Sequence, residues 1–244
     1  MAKMMIHSQA HPGIKEWRRA WQWLVQGMAL WRSRFWLGLW LGLAPLLVEG
    51  MLQLLPVAGV VLSKFITPVI GVLCLYVLHR RLRRAEGFPA VASVDRFVCA
   101  LAVCIGLLAF VWQVMVLAAV AGSDTAWAVL SADPAGLATN KVELALMFAS
   151  GVLPGALLGL MLSHRVLAVT SLQAAWQWNL LALRTYWRPL LVWHLGLAAA
   201  LAALLWCPWL LLILPPVGLH GSYVMWRDIV SGQTEDRYVA HSCA

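Results

Sequence analysis

Apolar and polar positions are patterned along this chain on two length scales. On the short scale, Ile14, Trp17, Trp21, Leu24, Met28 and Trp31 recur at spacings of three and four, while Lys15, Arg18, Arg19, Gln22 and Gln26 fall mainly on the other side. This is the period of an amphipathic helix. With indoles on one face and bases on the other, it predicts a helix lying at a membrane surface over 13–34, its rings at headgroup level and its Arg in reach of lipid phosphate. Leu172, Trp176, Leu180, Leu183 and Trp187 repeat the pattern, with Gln173, Gln177 and Arg184 elsewhere on the wheel. They predict a second interfacial helix over 171–187. Trp17, Trp21, Trp31, Arg18, Arg19, Trp176 and Trp187 are the expected interfacial anchors.

On the long scale, apolar blocks of about twenty residues match the thickness of a bilayer core. They cover 35–54, 59–79, 97–121, 144–162, 189–206 and 209–226. Pro56 divides the first two, Cys207 and Pro208 divide the last two, and a polar stretch with Gly122, Ser123, Asp124, Asp133, Pro134 and Asn140 divides the middle two. The expected fold is all-α: a polytopic membrane protein with six transmembrane helices in three hairpins (35–79, 97–162 and 189–226) plus the two interfacial helices. A short polar tail, 227–244, completes a single membrane domain over 1–244.

Composition agrees with this reading and narrows the function. Of 244 residues, 62% are hydrophobic and 11% charged, whereas soluble domains carry about a quarter charged residues. The net charge of +8 would suggest nucleic acid in a soluble protein. Here the bases lie beside apolar blocks, where they set orientation and attract anionic lipid, so no nucleic-acid partner is expected. All of the 18 Lys and Arg except Lys64 and Lys141 fall in 1–34, 80–96, 163–188 or 227–244. The positive-inside rule therefore places both termini in the cytoplasm. No small-residue cleavage site follows a short apolar core, so no cleaved signal peptide is expected.

The chain also repeats internally. AWQW at 20–23 recurs at 175–178; aligning the two sets Pro56 against Pro208, TPVIG at 67–71 against PPVG at 215–218, and Arg80 against Arg227. An even number of spans separates the copies, so the repeat is parallel, with 97–162 as the unmatched middle.

Trp21, Trp23, Trp31, Pro56, Gly59, Pro68, Gly71 and the cluster Arg80, Arg81, Arg83, Arg84 give an order of features that resembles a group of uncharacterised six-helix inner-membrane proteins of Gram-negative bacteria. The resemblance implies a multi-pass fold and the bacterial inner (cytoplasmic) membrane. It implies no activity and carries over no catalytic residue.

Few residues suggest chemistry. Glu49 and Lys64 are the charges inside expected spans, where an ionisable group costs about 2.5–3.5 kcal/mol unless paired or solvated. A hairpin turning near Val57 brings them to one depth, roughly 10–12 Å below the turn at the helical rise per residue. They form a structural pair, part of a proton or ion path, or charges reaching the outer interface. Gly38 and Gly42 make one GxxxG, and Gly151, Gly155 and Gly159 make two in succession; such stripes let another helix approach, from this chain or a second one. Pro45, Pro68, Pro154, Pro215 and Pro216 kink helices or, where freed backbone groups line a cavity, break them for transport. His79, His164, His194 and His220 lack metal-ligand spacing, and Cys74, Cys99, Cys104, Cys207 and Cys243 include no CxxC pair. No cofactor, metal site or enzyme motif is expected. The expected role is non-enzymatic: an accessory or scaffold subunit whose partners are membrane lipid and another membrane protein or a second copy. The alternative is a small transporter using Glu49 and Lys64 within kinked helices.

The charge distribution can be tested by cysteine labelling in intact cells. A cysteine at position 83 should be shielded from an impermeant reagent and one at position 133 labelled; the reverse pattern would overturn the orientation.

Overall fold

The computed structural model describes residues 16–55, 58–86, 93–131 and 140–242, and among them every regular element is an α-helix. In order these are α1 (Glu16–Ser33), α2 (Phe35–Gln53), α3 (Ala58–Ala85), α4 (Arg96–Ala121), α5 (Ser123–Ser131), α6 (Lys141–Ser150), α7 (Val152–Leu167), α8 (Leu172–Ala203) and α9 (Leu210–Ser242). Ile14, Lys15, Pro56, Asp133, Pro134 and Cys243 lie outside the described residues.

Among the described residues four helical segments are long and apolar enough to cross a membrane: α2, α3, α4 and the joined α6 and α7. Only 6% to 28% of their most apolar windows is buried, so these helices turn their apolar side chains outward, as a surface bathed in lipid tails requires. On α2 the outward residues are large, Trp36, Trp40, Leu47 and Met51, and the inward ones are Gly38 and Gly42. Interfaces built from small residues are what helices packing in lipid favour, since close backbone approach supplies the contact energy. The chain is thus an all-α protein whose apolar helices suit a multi-pass membrane protein. Six were expected, but in α8 the apolar run is interrupted by Arg184, Arg188 and His194, and in α9 it ends at Arg227.

Other boundaries differ from expectation for local reasons. The fourth span is two helices meeting at Gly151, over which the side chain of Gln113 lies. Part of the expected polar loop is helical, as α5, entered through Gly122 at φ 92°, a left-handed conformation that closes α4 at little cost only for glycine. Asn140 and Glu143 form a reciprocal capping box that starts α6. The expected surface helix 171–187 and the following span are one helix, α8, with a non-helical joint at Tyr186 (φ −115°, ψ 22°), three residues before Pro189. The expected polar tail continues α9 to Ser242.

α1 is the largest departure. It packs against α8 and α9, and the face it buries is Ala20, Trp23, Gly27 and Trp31. Of the expected anchors, Trp17 and Trp21 are exposed but Trp31 is buried, stacked 5.3 Å from Phe35. Trp23 is 1% exposed and meets Trp193 edge-on at 6.4 Å. The amphipathic period was legible, but helices that bury Ala and Gly at close approach take a face that a hydrophobicity wheel ranks low. The two AWQW segments share an exposure pattern: Ala20 and Ala175 buried, Trp21 and Trp176 outward, Trp23 and Trp178 turned inward.

Two joined cores hold the bundle. Around Trp23, Tyr186, Trp193, Val224 and Ile229, α1, α8 and α9 converge; around Leu78, Val98, Val166, Tyr223 and Trp226, α3, α4, α7 and α9 converge. Asp95 caps α4 by accepting from the Val98 backbone N–H, 2.8 Å, and also accepts from Arg165 on α7 at 2.7 Å. The Val98 bond, ahead of the Arg165 charge, holds the Asp95 carboxyl below its ordinary value.

The glycines yield a stability test. A Cβ on Gly27 would lie 2.7 Å from Cα and N of Gly221, backbone that cannot swing aside, whereas one on Gly155 or Gly159 meets no atom within 4 Å. In detergent, Gly27→Ala should cost about 1–3 kcal/mol and lower Tm, while Gly71→Ala, where a Cβ likewise meets nothing within 4 Å, should leave it unchanged or raise it through the better helix propensity of Ala. Equal losses at both positions would contradict this packing.

Candidate functional site: an intramembrane charge pair and a buried histidine cluster

α2 and α3 lie side by side, joined across residues 54–57, so a position near the end of α2 faces one near the start of α3. Glu49 and Lys64 occupy such positions. The Lys64 ammonium donates to Glu49 Oε1, and Gln53, one turn along α2, donates its amide N–H to the same oxygen at 3.2 Å. The ammonium also lies 5.3 Å from the centre of the Phe110 ring of α4, within cation–π range. About a fifth of each side chain is exposed (Lys64 21%, Glu49 22%). The carboxylate and ammonium therefore neutralise each other, and each has a further partner. Such an arrangement removes most of the cost of charge in hydrocarbon.

The second constellation joins residues from four helices. His79 of α3 shares a 3.3 Å hydrogen bond with the Tyr223 hydroxyl of α9, and its ring is 5.9 Å from Trp226. His164 of α7 stacks face to face on Trp178 of α8, centroids 4.0 Å apart and planes within 5°, and lies 6.5 Å from Trp226. His164 Nδ1 is buried without a hydrogen-bond partner. The imidazoles act here as flat, half-polar packing units. Among the described residues no group of three or more His, Cys, Asp or Glu is gathered that could hold a metal ion.

A third junction joins the first and last helices. Arg19 Nε donates to Asp228 Oδ2 at 2.6 Å, Trp23 Nε1 donates to the same oxygen at 2.9 Å, and the Arg19 guanidinium lies 4.6 Å from the centre of the Tyr186 ring. Burial works against the charge on Arg19, but the hydrogen bond and the pull of the Asp228 carboxylate, with Tyr186, outweigh it and raise the pKa. Arg19, expected to reach lipid phosphate, is thus engaged inside the protein. Arg18 lies over the Trp17 ring at 5.6 Å, and Trp176 and Trp187 are exposed.

The glycines divide. A Cβ at Gly38 would come 2.7 Å from His220 Cε1, and one at Gly42 would come 2.6 Å from Pro216 Cα, so both serve the contact of α2 with α9. His220 Nδ1 is 2.7 Å from the Pro216 carbonyl, which can only accept; Nδ1 therefore carries the proton and buried Nε2 faces Gly38 as an unpartnered acceptor. Gly151 seats Gln113, while Gly155 and Gly159 stay open.

Comparison of the chain with protein-family models, with curated proteins and with solved structures finds no match in any of the three.

Asp228, His79, His164, Trp178, Tyr223, Trp226 and Asn179 were not singled out as partners from sequence. Trp23 and Asp228 are 205 positions apart, and His79 and Tyr223 are 144 apart, so no local spacing announces them. The pairing of Glu49 and Lys64, 15 apart across one turn, is a local signal.

Coupling within the pair can be measured by a double-mutant cycle on thermal stability with Glu49→Gln, Lys64→Met and the double variant. Each single change should cost about 2–4 kcal/mol, because it strands the other charge, and the double change should cost less than the sum. Additive losses would show that the two charges do not depend on each other.

Proposed function

We propose that this chain is a six-span inner-membrane protein with both termini in the cytoplasm, acting as a non-enzymatic accessory or scaffold subunit that binds lipid and another membrane protein or a second copy. The fifth and sixth spans are the part of α8 after Tyr186 and the part of α9 before Arg227. α1 lies at the cytoplasmic surface, and the first part of α8 slopes from that surface into the bundle. Support for an even number of crossings comes from the chain ends: Arg19 bonds to Asp228, Arg227 to Glu86, His79 to Tyr223 and Arg165 to Asp95. These contacts gather the ends of α3 and α7, the start of α4 and both outer helices at one end of the bundle, which is the end rich in bases. The AWQW repeat fits the same topology, and its inner prolines both rest on a neighbouring helix's glycine, Pro68 on Gly106 and Pro216 on Gly42.

The observation that carries the scaffold role is the stripe of Gly155 and Gly159. Within one chain nothing fills the space above either residue, although each lies in a candidate span and glycine there is costly unless a helix uses the close approach. A helix of a second molecule supplies that contact. Transport through Glu49 and Lys64 has less support, because each is already engaged with the other and with Gln53 or Phe110.

The test is thiol crosslinking in native membranes, with the chain's own cysteines replaced. Gly155→Cys or Gly159→Cys should give a covalent adduct, with itself or with a second membrane protein, that survives mild-detergent purification. Leu195→Cys, on the outward face of α8, should give none. Equal crosslinking from all three positions, or from none, would overturn the scaffold reading.

A further inference from the structure

The end of the bundle that is rich in bases carries more positive charge than the carboxylates gathered there neutralise. Among the described residues, Asp228 pairs with Arg19, Asp95 with Arg165, and Glu86 with both Arg83 and Arg227. Arg80 turns back to the Tyr76 hydroxyl at 2.9 Å. Arg81 and Arg84 remain: both are exposed, and neither side chain has an ion pair or hydrogen bond among the described residues. They stand three apart near the end of α3, a spacing at which helical side chains are neighbours and like charges repel. An anion seated between them turns that repulsion into two attractions, and the guanidinium fork matches the oxygens of a phosphate.

Position selects the anion. Leu73, Val77, Arg81 and Arg84 follow one another at spacings of four, four and three, so the two bases continue a face of the candidate span α3 on which Leu73 is 38% exposed. The antiparallel register set by the Glu49–Lys64 bond, carried back along both helices, brings Trp36 of α2 level with Val77. Trp36 is 69% exposed, and an outward indole at the end of a span marks the headgroup level. Arg81 and Arg84 follow within two turns, at the depth of lipid phosphate, with apolar surface leading from them toward the hydrocarbon. A soluble anion makes no use of that apolar face, and a zwitterionic headgroup brings its own ammonium beside the arginines. We propose that Arg81 and Arg84 hold the phosphate of an anionic phospholipid of the phosphatidylglycerol type, its acyl chain lying along Val77 and Leu73. The site gives the lipid binding proposed above its chemical class and place; it rests on that topology but not on the contact at Gly155 and Gly159.

The experiment uses the full chain in phosphatidylcholine vesicles that carry equal small amounts of phosphatidylglycerol and phosphatidylethanolamine, one of the two bearing a diazirine on the upper part of an acyl chain. After illumination, labelled peptides are mapped by mass spectrometry. In the 70–80 segment phosphatidylglycerol should label about five-fold more than phosphatidylethanolamine, the effect of one arginine at a membrane surface. At 111–120, toward the other end of α4, the two lipids should label alike. Arg81→Gln with Arg84→Gln should bring the ratio at 70–80 to that at 111–120; both side chains are exposed, so their loss leaves the packing intact. Arg18→Gln with Arg184→Gln, which removes the same charge from α1 and α8, should leave the ratio unchanged. Equal labelling of 70–80 by the two lipids would overturn the site, as would a fall in the ratio just as large with the changes on α1 and α8, since only the overall field of the protein would then be at work. Failure of the chain to float with the vesicles would overturn the membrane reading and this site with it, whereas loss of the crosslink at Gly155 would overturn the scaffold role and leave the lipid ratio as it is.

Discussion

One carboxylate closes this molecule. Asp228 takes hydrogen bonds from Arg19 and Trp23, residues more than 200 positions away, on a single oxygen. Both side chains of the ion pair are mostly buried, so removing one partner would strand the other, a loss of about 3–5 kcal/mol in comparable buried pairs. With α1 held there, Trp23 can wedge against Trp193, Gly27 can meet Gly221 backbone to backbone, and Tyr186 can lie under the guanidinium. The joint in α8 falls at that same Tyr186. The closure thus sets the positions of three helices and ties the first helix to the last.

Away from that junction the packing follows the rules of a lipid solvent. Burying large apolar groups brings no hydrophobic gain when the surroundings are themselves apolar, so contact energy comes from close approach and from polar groups that find one another. α2 shows the first device, with glycines facing α9 and tryptophans facing out. Glu49 with Lys64, and His79 with Tyr223, show the second. The buried centre is correspondingly rich in side chains that are flat and partly polar: Trp23, Trp226, His164 and Trp178 stack or meet edge-on instead of interdigitating as aliphatic residues do.

Among the described residues nine side-chain polar atoms are buried without a hydrogen-bond partner, and they include His164 Nδ1, His220 Nε2 and Asn179 Oδ1. The two imidazole nitrogens are enclosed by the bundle, His220 beside Gly38 and His164 beneath Trp178. Asn179 lies beside an apolar groove between α4, α7 and α8, its amide nitrogen tied to the Leu157 carbonyl.

The amino-acid order alone determined the helical class and the apolar blocks, and it brought Glu49 and Lys64 to one depth with pairing as one of three readings, because each depends on a period or spacing of fewer than about twenty residues. It also marked Gly38 and Gly42 as places of close approach. Which face of α1 is buried was not legible, since Ala20 and Gly27 score as indifferent on any apolarity wheel and become an interface only where Gly221 of α9 lies opposite. The open Gly155 and Gly159 carry the same motif as the filled Gly38 and Gly42, and the difference arises solely from which helix the chain lays beside them. The histidine and tryptophan cluster, the Asp228 junction and the Asn179 groove were likewise decided by the tertiary structure. Each gathers residues from three or more helices, and contacts between distant segments leave no period in the sequence to be read.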